Sequence, residues 1–180
     1  MQANLILNEL RSNLVTHVVG LPDNSSAALF SLLNSREEPR LLAVTREGEA
    51  FAVAAGLWVG GKNPVVLIQN TGLLESGDGL RGTVIRMRIP LVCLVTYRGY
   101  STMVDGKISP GQKSESPETL SRPDLDSVAL LTEPTLKAWG LSYDFLFEND
   151  EVSKISQAFA KANATSGPTV LLIPRDLMSE

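Results

Sequence analysis

Six residues suited to chemistry follow apolar, strand-like segments of this sequence, in the segments GLPDNSS, TREGEA and QNTG. They are Asp23, Asn24, Glu47, Asn70, Thr71 and Gly72. The carboxyl ends of parallel strands in an open α/β sheet converge on one crevice, so these residues are predicted to share one site. A carboxylate held in such a crevice is a group that can exchange a proton with a bound ligand.

Glu47 and Glu49 stand at the junction between the apolar run LLAVT and the helical segment AFAVAAGLWVGG, where burial should exclude charge. Acidic residues at a helix N-terminus interact favourably with the helix dipole, and this structural role is the simpler interpretation for Glu49. Glu47 precedes a helix so rich in alanine and glycine that another element must pack closely against it. A functional role is therefore the stronger hypothesis for Glu47.

Six apolar segments alternate with helical segments along the chain. The apolar segments span residues 17–21, 41–45, 64–69, 89–97, 143–147 and 168–174. The helical segments span residues 2–13, 25–35, 47–59, 75–87, 125–140 and 150–164. This alternation predicts a single α/β domain over residues 1–180, a three-layer sandwich with a six-stranded, mainly parallel sheet of flavodoxin-like type. Residues 98–123 are rich in Gly, Pro and Ser and are predicted to be a long loop.

Composition excludes several classes of protein. The net charge is −4 and no dense basic patch is present, so nucleic acid is not expected as the main partner. No run approaches the ~20 apolar residues that span a bilayer, so no membrane association is expected. The chain has one histidine and one cysteine, Cys93, too few for a zinc site of soft ligands. Cys93 is predicted to be a small buried hydrophobe, and the protein to be cytoplasmic and without disulfides.

The pattern E-x-x-A-x-x-x-A-x-G, formed by Glu47, Ala50, Ala54 and Gly56, is followed by a Gly-Lys turn, an apolar strand and QNTG. This order resembles the pyrimidine-binding (Pyr) domain of thiamine diphosphate enzymes. Within that superfamily, GLPD, REG, AAG, QNTG and the closing GPTVLLI segment are most similar to the α subunits of sulfopyruvate and phosphonopyruvate decarboxylases. The resemblance covers essentially the whole chain.

The resemblance implies a cofactor, thiamine diphosphate, and a role for several residues. Glu47 matches the glutamate that hydrogen-bonds the pyrimidine N1′ and so activates the cofactor. Asn70, Thr71 and Gly72 match a segment beside the pyrimidine, although a plain strand-to-helix turn is an alternative. Asp23 or Asn24 matches a residue that faces the substrate, with a helix cap as the alternative. Arg98 matches an arginine that could bind an anionic group of a small 2-oxo acid.

The same resemblance implies a second polypeptide. A diphosphate-binding (PP) domain holds Mg²⁺ through a G-D-G stretch followed some twenty-odd residues later by asparagine. Residues 77–79 read GDG, but no asparagine occurs between Asn70 and Asn149. The other half of the site is therefore expected from a PP-type β subunit in a hetero-oligomer, with αα contacts as a further option.

The chain also departs from the decarboxylase pattern. QNTG is followed by LLES rather than GLGN, and the later segment TMVDGKISPGQ lacks the histidine that serves as proton donor in the family. The alternatives to a decarboxylase subunit are a non-catalytic binding or regulatory module with the Pyr fold, and a flavodoxin-like ligand-binding domain unrelated to thiamine.

Overall fold

A computed structural model describes residues 1–105 and 116–179. Its centre is a sheet of six strands in the order β2-β1-β3-β4-β6-β5, and every neighbouring pair is parallel. The strands are β1 (His17–Gly20), β2 (Arg40–Ala43), β3 (Pro64–Gln69), β4 (Val92–Thr96), β5 (Ser142–Phe145) and β6 (Thr169–Ile173). The prediction of a six-stranded parallel sheet is confirmed.

Helices cover both faces of this sheet. They are α1 (Ala3–Ser12), α2 (Ala27–Asn34), α3 (Glu47–Val59), α4 (Asn70–Glu75), α5 (Gly77–Gly79), α6 (Tyr100–Asp105), α7 (Pro117–Leu120), α8 (Ser127–Ala138) and α9 (Lys154–Thr165). Helices α1, α2 and α9 bury apolar side chains against one face, and α3, α4 and α8 against the other. Strands apolar on both faces require such a double cover, which gives the predicted three-layer sandwich.

The residues predicted to share one site lie near the point where successive connections between strands run to opposite sides of β1. The chain leaves β1 for β2 on one side, then crosses over to β3 on the other side of β1. In open α/β sheets the loops after the strands separate at such a switch point, and the crevice between them, outside the carboxyl ends of the strands, is the usual place for a ligand. Segments TREGEA and QNTG both border this end of the sheet.

Two segments differ from the sequence-based expectation. The predicted loop at 98–123 contains α6 and α7, and its residues 106–115 lie outside the described part of the chain. The helical segment predicted at 75–87 starts earlier, because α4 begins at Asn70, directly after β3. A six-residue π-helix, Leu80–Ile85, continues the helical path toward β4.

Gly20 allows β1 and β3 to approach each other at the switch point. A Cβ at this position would lie 1.9 Å from the carbonyl oxygen of Leu67, its register partner on β3. The obstacle is backbone, so side-chain rotation cannot relieve it.

We expect Gly20→Ala to lower the free energy of unfolding by about 3 kcal/mol, measured by urea denaturation, because overpacking would separate paired strands. Gly56→Ala is the matched control. A Cβ at Gly56 meets nothing within 4 Å, so this change should raise stability by roughly 0.5–1 kcal/mol through helix propensity. Equal effects of the two changes would contradict the role assigned to Gly20.

Cys93 lies in the middle of β4 and is fully buried. Its burial raises the pKa of the thiol to about 12, because the charged thiolate loses its solvation in an apolar surround. This environment agrees with the expectation of a small buried hydrophobe.

Candidate functional site

Glu47 is the first residue of α3, and its half-buried side chain lies against α4. A Cβ at Gly72 would be 2.2 Å from Cγ of Glu47 and 2.4 Å from its carboxylate atom Oε1. Only glycine at position 72 leaves room for the glutamate in this orientation. The glycine of QNTG thus places the Glu47 carboxylate at the crevice.

The other carboxylates near this helix end have partners within the chain. Glu49 accepts hydrogen bonds from the N–H of Thr45 at 3.2 Å and from its hydroxyl at 3.3 Å. Glu75 accepts the N–H of Gly48 at 3.2 Å and pairs with Arg46. In residues 1–105 and 116–179, by contrast, nothing donates a hydrogen bond to the Glu47 carboxylate. Glu47 is therefore the acid of this group that is open to a ligand.

Asn70 is fully buried and holds two strand ends together. Its side-chain nitrogen donates to the carbonyl of Arg98 and to the hydroxyl of Thr132, both at 3.0 Å. Its side-chain oxygen accepts the Arg98 N–H at 3.1 Å. The Asn70 amide thus joins the ends of β3 and β4 to α8. Neighbouring Thr71 is exposed and donates to Gln69 at 3.1 Å.

Asp23 closes the turn between β1 and α2. Its Oδ1 accepts the N–H groups of Ser25 at 2.8 Å and Ser26 at 3.2 Å. Its Oδ2 accepts the hydroxyls of Ser26 at 2.5 Å and Thr96 at 3.2 Å. These contacts resemble a helix cap and also join the turn to the end of β4. Asn24 is exposed at the tip of the same turn.

Arg98 follows β4 and has an exposed side chain. Its Nε donates to Asp126 at 2.7 Å, which fixes the direction of the guanidinium. The two terminal nitrogens make no hydrogen bond with the described residues. Arg98 lines a pocket of about 250 Å³ at the carboxyl ends of β4 and β6, together with Ser25, Tyr100 and Asp176. Arg98 and the turn at Asp23 thus border the same end of the sheet.

The structure also identifies a pair that sequence reasoning missed, Arg46 and Glu75. The segment LLES, where the decarboxylase pattern reads GLGN, carried the available signal, because it places a carboxylate one helical turn after Gly72.

The GDG residues 77–79 form α5, which packs on α3. In the described part of the chain, no group of three or more His, Cys, Asp or Glu side chains could hold a metal ion. No described helix is long and apolar enough to cross a membrane.

The all-parallel sheet and its switch point define a flavodoxin-like α/β domain, and in such domains ligands bind outside the carboxyl ends of the strands. The chain belongs to the family "Thiamine pyrophosphate enzyme, N-terminal TPP binding domain", whose model matches residues 2–115. The resemblance found in the sequence is confirmed.

Curated relatives and solved structures agree with this family. The chain is 29% identical over 170 residues to the phosphonopyruvate decarboxylase of Streptomyces viridochromogenes, covering 92% of this chain and 38% of that protein. It is 43% identical over 85 residues to the sulfopyruvate decarboxylase α subunit of Methanothermobacter thermautotrophicus, covering 47% and 52% of the two chains. The benzoylformate decarboxylase structure from Polynucleobacter necessarius matches all of this chain and 32% of its own, with a TM-score of 0.65 and 20% identity. This last likeness shows the fold.

Proposed function

We propose that this chain is the Pyr-domain α subunit of a two-chain, thiamine diphosphate-dependent 2-oxo acid decarboxylase, and that residues 1–180 form one Pyr domain. The observation that carries the proposal is the Glu47 carboxylate, which is half-buried against Gly72 and lacks a hydrogen-bond partner in the described chain. A carboxylate that is held in place but has no partner in the chain is free to accept a hydrogen bond from a ligand.

The residues at the crevice fit the pyrimidine half of the cofactor. Glu47 would hydrogen-bond the pyrimidine N1′ and exchange a proton with it. Gly72, without a side chain, leaves the space that the Glu47 side chain fills, and Thr71 lies exposed beside it. Asn70 would act by fixing the turn. Bound thiamine diphosphate supplies a carbon nucleophile that attacks the 2-oxo group and an acceptor for the electron pair of the carbon–carbon bond that breaks when carbon dioxide leaves.

The position of Arg98 favours an anionic 2-oxo acid as the substrate. Its terminal nitrogens can bind a carboxylate, sulfonate or phosphonate oxygen pair, because the guanidinium offers a planar fork of donors. Asp126 holds that fork at the pocket beside β4 and β6. Asp23 and the exposed Asn24 would complete the substrate side. The relatives named for phosphonopyruvate and sulfopyruvate favour substrates of this class.

The exposed residues of α3 are consistent with a contact surface for a PP-type partner subunit, which would also supply the Mg²⁺ site. Ala52 and Gly56 lie exposed one turn apart, and a Cβ at Gly56 would meet nothing within 4 Å. Trp58 and Val59 are 38% and 63% exposed on the same helix. Small residues allow another helix to approach closely, and the larger ones offer apolar area for an interface.

The proposal is tested by calorimetric titration of thiamine diphosphate and Mg²⁺ into the chain co-expressed with a candidate PP-type subunit, and into each subunit alone. We expect binding only when both chains are present, with release of carbon dioxide from sulfopyruvate, phosphonopyruvate or pyruvate in the same samples. Binding without turnover would identify a non-catalytic Pyr module. Absence of binding in every combination would overturn the cofactor proposal.

Gly56→Leu tests the interface in the same assay. The side chain would enter open space in the free subunit, so its folding should be unchanged, whereas a helix packed closely on α3 would be displaced. We expect assembly, measured by sedimentation velocity, to weaken by about tenfold or more, since each clash at a packed interface costs 1–3 kcal/mol. Gly56→Ala is the control and should assemble normally. Normal assembly of Gly56→Leu would place the partner elsewhere.

A further inference from the structure

The N-terminus of α3 lacks a conventional cap. Arg46 occupies the N-cap position with φ −143° and ψ 142°, and its side chain makes no cap hydrogen bond. Arginine has only donors, so it cannot accept any of the N–H groups that the first helical turn leaves unpaired. The N–H groups of this turn therefore need another side chain or water as acceptor.

Glu75, the last residue of α4, supplies the missing acceptor. Its Oε2 accepts the N–H of Gly48 at 3.2 Å, and its Oε1 pairs with the guanidinium of Arg46. The hydrogen bond from Arg46 also lowers the pKa of the Glu75 carboxyl, because it favours the ionised form. One carboxylate therefore holds the residues on both sides of Glu47.

Gly79 makes a second close approach to the backbone of Gly48. A Cβ there would lie 2.8 Å from the carbonyl oxygen of Gly48, so α5 packs directly on the first turn of α3. The backbone at Gly48 thus contacts both the Glu75 carboxylate and α5. The Arg46–Glu75 pair is partly exposed, and exposed ion pairs add little to global stability. Its main effect is thus on local geometry.

We infer that Glu75 is a positioning residue for Glu47: with Arg46 and the Gly48 amide it fixes the first turn of α3 on α4 and so orients the Glu47 carboxylate. This inference rests on the function proposed above. It deepens that proposal by assigning a role to the LLES segment, in which this chain departs from the decarboxylase pattern.

The first test follows the geometry without turnover. In the subunit alone, Glu75→Ala should increase hydrogen exchange at the Gly48 amide by about tenfold or more, because the amide loses a charged acceptor. Glu75→Gln retains an acceptor oxygen and should give a smaller increase. Asp78→Ala is the matched control, since it removes a neighbouring exposed carboxylate whose one ion pair among the described residues is with Arg81. Unchanged exchange at Gly48 in Glu75→Ala would overturn the inference.

The second test uses the assembled two-chain enzyme. We expect Glu75→Ala to lower kcat by on the order of 10²-fold with KM for the 2-oxo acid changed little, because a misplaced proton donor acts on the chemical step. Glu75→Gln should recover part of the loss, and the thermal midpoint should stay near that of Asp78→Ala. Loss of turnover in Glu47→Gln but not in Glu75→Ala would refute the positioning role of Glu75 and leave the proposed function standing. Full turnover in Glu47→Gln would refute the proposed function itself.

Discussion

Glu47→Gln should abolish decarboxylation while leaving the subunit folded. The amide preserves the shape of the side chain but cannot exchange a proton with the pyrimidine, so kcat should fall by about 10²- to 10⁴-fold. Nothing in the described chain hydrogen-bonds this carboxylate, so the free energy of unfolding should change by less than about 0.5 kcal/mol. Steady-state kinetics and urea denaturation of the two-chain enzyme measure the two quantities.

Glu49→Gln provides the control for this experiment, because it removes a carboxylate two residues away on the same helical turn. Glu49 accepts two hydrogen bonds from Thr45, so its loss should lower stability by about 0.5–1 kcal/mol and leave turnover intact. If Glu47→Gln and Glu49→Gln reduced kcat equally, charge near the helix N-terminus would explain the effect, and the specific role of Glu47 would be disproved.

Gly72→Ala should have the second largest effect, through the position of Glu47. The added methyl group would lie 2.2 Å from Cγ of Glu47, so the glutamate must leave its rotamer. Displacement of the carboxylate by about 1 Å is expected to reduce kcat on the order of 10²-fold. The obstacle is a side chain that can move, so the stability loss should remain within about 1–3 kcal/mol.

Gly82→Ala makes the same chemical change within the π-helix, where a Cβ would meet nothing within 4 Å. Its kcat should equal that of the unmodified enzyme. Calorimetry should also show weaker thiamine diphosphate binding for Gly72→Ala alone. Wild-type kinetics for Gly72→Ala would show that Glu47 does not act from the conformation described.

The sheet could be predicted because its strands are apolar on both faces. Segments such as 64–69 and 168–174 have no polar face, so burial between two helical layers is the arrangement that removes them from water. The convergence of TREGEA and QNTG followed from the same topology, since strands that run parallel end at the same edge.

The contacts of the site could not be predicted in this way. Asn70 is 28 residues from Arg98, and Glu75 is 29 residues from Arg46. Hydrogen bonds across such distances depend on how two helices pack, and neither periodicity nor capping rules contain that information. The prediction of a loop at 98–123 failed in part for a related reason. Apolar Tyr100 and Met103 lie among polar residues there, yet they pack on the core as α6.

The buried thiol of Cys93 makes the natural chain convenient for site-specific labelling. It is the single cysteine of the sequence, and its raised pKa leaves almost no thiolate to react with maleimides or methanethiosulfonates near neutral pH. A cysteine introduced at an exposed position such as Asn24 or Ala160 would therefore carry a fluorophore or spin label without prior removal of the native thiol. Distances from these two positions to a labelled partner would report the assembly directly.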